Sequence, residues 1–150
     1  MIVVSNTSPL VVLSNIGELD LLKFLFERII IPRGVAEEFG EVTPEWIEVR
    51  DVQNRIVVDL LKEKLHTGEA EAIALAVELK ADLMIIDDKS ARNTASSLGL
   101  RVIGTVGLIL LGKKRGYYAE IKPVVNNLLK KGFRLSKEVV EQILKDAGEL

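Results

Sequence analysis

The chain has 150 residues, 48% of them hydrophobic and 28% charged, with a formal net charge of −2, the balance of one globular domain with a sizeable core. It contains no cysteine, which excludes disulfides, thiolate metal sites and cysteine nucleophiles. A single histidine, His66, is too few for a histidine-rich zinc site or a histidine-centred triad.

Met1-Ile2-Val3-Val4 lacks the basic leader of a signal peptide, and no apolar run approaches membrane-spanning length. A cytoplasmic protein is the expectation. Charge is uneven along the chain. Residues 1–111 carry 11 Lys/Arg against 17 Asp/Glu, and residues 112–150 carry 9 against 5. The basic block, with Lys113, Lys114, Lys130 and Lys131, can serve a polyanion or can be a solvated helical surface.

In chain order, Ile2-Val3-Val4-Ser5 reads as a short buried strand. Asn6 lies at its carboxyl end, and Ser8 and Pro9 suit the cap and first position of a helix. A second helix spans about residues 19–26. Ile29-Ile30-Ile31 is a buried strand stopped by Pro32, which opens a helix carrying Glu37, Glu38 and Phe39. Trp46-Ile47-Glu48-Val49 alternates as an edge strand does, and a helix over about 52–65 follows. Thr67 can cap the next helix, which is apolar almost all round and so mostly buried. Glu71 and Glu78 share one stripe of it, read as its solvated edge. Glu69 instead heads an apolar stripe through Ala72, Ile73 and Ala76, so its carboxylate needs a partner.

Leu83-Met84-Ile85-Ile86 reads as a strand buried on both faces, and Asp87 and Asp88 follow at once. Taken alone, Asp88 fits the cap of a helix over about 89–98, with Asp87 helping to satisfy its free N–H groups. The alternative is a metal site, because two adjacent charges are costly to desolvate without a cation or donors. Arg101-Val102-Ile103 is a last strand. Helices follow over 104–114, from Pro123 to about 131, and from the Ser136 cap onward with Val139, Val140, Ile143 and Leu144 inward. This alternation predicts an α/β fold on a parallel sheet of about five strands covered on both faces. One domain spans residues 1–150, with 117–150 as a helical extension.

Ligands of open α/β folds bind beyond the carboxyl ends of the strands. Asn6, Glu38, Glu69 and the Asp87/Asp88 pair all fall where one such crevice could gather them. Oxygen ligands without sulfur or imidazole suit Mg²⁺ or Mn²⁺, ions that serve phosphodiester chemistry. Several segments carry a family resemblance: residues 4–10 (Val-Ser-Asn-Thr-Ser-Pro-Leu), Ile31-Pro32 with Val35 and Glu37-Glu38-Phe39, residues 68–76 (Gly-Glu-Ala-Glu-Ala-Ile-Ala-Leu-Ala), Ile86-Asp87-Asp88 with Arg92, and Ile103-Gly104-Thr105. In their order and spacing they resemble the PIN-domain family of metal-dependent nucleases, which includes toxins of toxin–antitoxin pairs. More closely, the chain resembles a branch of short PIN-like prokaryotic proteins of unsettled function.

The resemblance implies an α/β/α sandwich and a Mg²⁺- or Mn²⁺-dependent ribonuclease acting on single-stranded or structured RNA. A homodimer and a small antitoxin partner are implied with it. It implies Glu38, Glu69 and Asp87 as catalytic acids, Asn6 and Asp88 as further metal ligands, and Ser8 as a hydroxyl beside the first of them. Asn6 departs from the family pattern, where the first position is usually Asp, and a module that binds nucleic acid without cutting is the alternative. Arg92, Lys113, Lys114, Lys130 and Lys131 are the candidate phosphate contacts. For Arg92 and His66, exposed polar surface is the competing reading.

Overall fold

In the computed structural model, which describes residues 1–150, the apolar runs form five strands: β1 (Val3–Ser5), β2 (Ile29–Ile31), β3 (Ile47–Val49), β4 (Leu83–Ile85) and β5 (Val102–Ile103). They make one sheet in the order β3-β2-β1-β4-β5, and every pairing is parallel. Consecutive strand residues point to opposite faces, yet all three residues of β1 and of β2 are buried. Both faces are therefore covered, and the fold is an α/β sandwich, as the alternation predicts. β3 is an edge strand, as its pattern predicts.

Nine helices surround the sheet: α1 (Thr7–Asn15), α2 (Asp20–Phe26), α3 (Arg33–Phe39), α4 (Arg55–Leu61), α5 (Thr67–Glu78), α6 (Lys89–Ser97), α7 (Thr105–Lys114), α8 (Lys122–Lys130) and α9 (Lys137–Asp146). α5 packs on β1 and α4, and α3 bridges α1 and α5. Residues from α8 and α9 (Val124, Leu128, Ile143 and Leu144) join the same core as the strands. No helix is long and apolar enough to cross a membrane.

The strand order decides where a ligand can sit. From β1 the chain moves outward through β2 and β3, then returns to β4 on the other side of β1. Such a reversal opens a crevice at the carboxyl ends of the two central strands, here after Ser5 and Ile85, which pair in register.

Four local expectations are corrected. The cap of α1 is Asn6, not Ser8, because the N–H of Asn6 still donates to Ile85 O at 2.9 Å and the helix starts as soon as that ladder ends. The cap position of α5 is His66 rather than Thr67. Glu71 is not on a solvated edge but 8% exposed, because α3 packs on its stripe; Glu78 on that stripe accepts the N–H groups of Gln53 and Asn54. Val139 is exposed, since only Ile143 and Leu144 of α9 are buried. The Asp88 and Ser136 caps form as predicted, accepting from Ala91 N at 2.9 Å and Val139 N at 3.1 Å.

Candidate functional site

Asn6, Glu38 and Glu69 come from three elements and line one cleft of about 320 Å³, with Thr7, Ser8, Val11, Val12 and His66. β1 places Asn6 at the floor, only 3% exposed. Its side-chain Oδ1 is buried without a hydrogen-bond donor. A buried acceptor left unpaired costs about 1–3 kcal/mol, so this oxygen is short of a cation or a donor. Glu38, on α3, accepts from Thr7 Oγ1 at 3.1 Å. Glu69, in the first turn of α5, accepts the N–H of His66 at 3.2 Å. Each carboxylate keeps oxygen lone pairs for another partner.

Two glycines set the spacing of these acids. A Cβ at Gly68 of α5 would lie 1.6 Å from Glu38 Oε1, and a Cβ at Gly34 of α3 would lie 2.8 Å from Glu71 Oε1. Each helix thus offers a glycine where the other brings a carboxylate. Gly34 also donates its N–H to Glu71 Oε1 at 2.9 Å, and Arg55 of α4 reaches Glu71 Oε2 at 3.3 Å. This clasp holds α3 against α5 and fixes where Glu38 stands. In each helix the glycine and the carboxylate stand one turn apart, Gly68 with Glu71 and Gly34 with Glu38, so they share a face. Beside the clasp, Asp51 receives a hydrogen bond from the Arg33 guanidinium and raises its pKa.

Asp87 lies in a neighbouring hollow of about 490 Å³ with Arg92, Gly104 and Phe133. Both its oxygens are engaged: Oδ1 accepts the N–H of Thr105 at 2.7 Å and Oδ2 accepts the Thr105 hydroxyl at 2.6 Å. A Cβ at Gly104 would lie 2.7 Å from Oδ1, so Gly104-Thr105 forms a cradle for this carboxylate at the start of α7. Asp87 thereby satisfies the N-terminus of α7 and not, as expected from its position, that of α6. Asp88 caps α6 alone.

The basic residues separate in the same way. Lys113 is bonded to Glu149 at 2.8 Å, and Lys114 borders a 630 Å³ hollow with Asp146. Lys130 is exposed, and Lys131 borders a 340 Å³ hollow with Arg134. Thr7, Gly68 and Thr105 enter the sequence reading only within the resembling segments, with no role given, and Glu71 only as a solvated edge. Only the glycines at helix starts, where alanine is favoured by propensity, signal them.

An Mg²⁺ or Mn²⁺ ion takes oxygen ligands, and Mg²⁺ usually keeps several of its waters. No three acidic or imidazole side chains stand together as a ready coordination cluster. The orphaned oxygen of Asn6, in a cleft that Glu38 and Glu69 also line, nevertheless fits an ion held partly through water. A sequence model of the PIN domain matches residues 2–149. No curated protein and no solved structure matches the chain significantly.

Proposed function

Because the chain belongs to the PIN-domain family, we propose that it is a divalent-metal-dependent ribonuclease whose ion is held at the Asn6/Glu38/Glu69 cleft. The observation that carries this reading is the buried, donorless Oδ1 of Asn6 beside two carboxylates with free lone pairs. A bound Mg²⁺ or Mn²⁺ supplies water activation and charge neutralisation at a phosphodiester. The chain's own part is to fix the ligands: β1 sets Asn6, the Gly68 contact and Thr7 set Glu38, and the His66 N–H sets Glu69. His66 and Ser8, at the cleft edge, lie where a substrate phosphate would be met. Asp87 orders α7 through Thr105 and contributes to the ion only where that pairing is released.

Two observations favour a second reading, a nucleic-acid-binding module that does not cut: Asn6 is neutral and Asp87 is already bonded twice. Cleavage of a fluorescein-labelled single-stranded RNA with Mn²⁺ separates the two. The ribonuclease reading expects cleavage that stops in chelator and falls at least tenfold in Glu38→Gln and in Glu69→Gln. Both amides can still accept the bonds from Thr7 and His66, so the fold should survive. RNA bound but left intact, with or without the ion, would favour the second reading.

A further inference from the structure

α8 ends at Lys130, and Gly132 at φ +91° turns the chain so that the N–H of Phe133 reaches Leu128 O at 3.0 Å. A helix end of this kind brings the residue after the glycine against the last turn, here Phe133 beside Leu128. Between this turn and α1 lies the 340 Å³ hollow. Its walls include the apolar Val12, Leu128 and Phe133, and its rim carries Asn15, Lys131 and Arg134, with no acidic side chain. The chain's five ion pairs engage Arg28, Arg33, Arg50, Arg55 and Lys113, so both rim cations are free.

The hollow's position gives this chemistry a use. Val12 also lines the Asn6/Glu38/Glu69 cleft, so the two recesses adjoin across α1. An acidic cleft repels a polyanion, and a strand entering it needs cations just outside. Single-stranded RNA is bound where bases meet aromatic or apolar surface and phosphates meet Lys or Arg. We propose that this hollow is a nucleotide subsite, taking a base of single-stranded RNA against Phe133 with the flanking phosphates on Lys131 and Arg134. The assignment rests on the ribonuclease reading. It keeps Lys131 among the phosphate contacts expected from the sequence, adds Arg134, and drops Lys113, which Glu149 already holds.

The test is fluorescence anisotropy of a fluorescein-labelled oligouridine in chelator, at several salt concentrations, with a Mn²⁺ titration of each protein alongside. For Lys131→Gln combined with Arg134→Gln, both surface changes, affinity should fall about tenfold. The log–log salt slope should flatten by about 0.7 per lost phosphate contact. Phe133→Leu keeps an apolar side chain on Leu128 and should weaken binding about tenfold with the slope unchanged. Mn²⁺ affinity should be the same in all three proteins. Variants that bind RNA as the unaltered chain does would overturn the subsite and leave the ribonuclease reading standing. Failure of the unaltered chain to bind oligouridine in chelator would likewise overturn the subsite, whereas absence of Mn²⁺-dependent cleavage overturns the ribonuclease reading.

Discussion

At Asn6 the chain places a neutral amide whose oxygen is its one buried side-chain oxygen without a donor. Asn6→Asp adds a negative charge to a site 3% exposed, beside Glu38 and Glu69. Burial and like charges both oppose its ionisation. The expected outcome is a trade: tighter Mn²⁺ binding and faster RNA cleavage, with a lower melting temperature in chelator. Unchanged metal affinity and cleavage would remove Asn6 from the ion site. Asp87 makes the opposite case. Asp87→Asn can keep an oxygen on the Thr105 N–H, but it meets the fully buried Thr105 hydroxyl with an N–H, so the hydroxyl hydrogen loses its acceptor and the remaining bond its charge assistance. A loss of about 1–3 kcal/mol is expected in urea unfolding. A variant as stable as the parent would show that the Thr105 pairing does not hold α7.

The two carboxylate–glycine contacts between α3 and α5 should respond differently to a methyl group. Glu38 is exposed, so Gly68→Ala can push its carboxylate aside, and alanine gains about 0.5–1 kcal/mol of helix preference over glycine. Gly68→Ala should therefore melt no lower than the parent yet bind Mn²⁺ several-fold more weakly. Glu71 is buried and tied to Gly34 N and Arg55, and it cannot move aside so freely. Gly34→Ala should melt lower. Equal melting changes in the two variants would contradict the clasp. The helices themselves are legible in the sequence. Ser136 and Asp88 declare their caps, and the alternation of apolar runs gives the parallel sheet with β3 at its edge. The partner of each carboxylate is not legible. Glu71 shares a polar stripe with Glu78, and only α3, 37 positions upstream at Gly34, turns that stripe inward. Asp87 precedes α6 in sequence but answers a helix that starts 18 residues later. Such pairings depend on which elements the sheet order brings together, and local pattern carries no record of that.

For the molecule as a whole, one side chain beyond α9 ties the end of α7 to the start of α8, beside the apolar contacts that α8 and α9 make with the core. Glu149 accepts from Lys113 Nζ and Ile121 N, each at 2.8 Å, and from Lys122 N at 3.0 Å. Burial pushes its pKa up, but the Lys113 hydrogen bond, the two backbone donors and the Lys113 charge together hold it below its usual 4.5. A carboxyl depressed in the folded state stabilises above its unfolded value and loses that contribution as pH falls through the folded one. Glu149→Gln should therefore lower the melting temperature at neutral pH, and the gap from the parent should close below pH 4.5. A gap independent of pH would assign the loss to packing alone. The central claim is that sheet order and the α3–α5 clasp assemble a divalent-ion site from Asn6, Glu38 and Glu69. It is tested most directly by calorimetric titration of Mn²⁺ into the chain and into a Glu38→Gln, Glu69→Gln double variant. The account predicts saturable binding to the first and at least a tenfold loss in the second, with both proteins folded. Equal binding by the two, or no binding by the first, would contradict it.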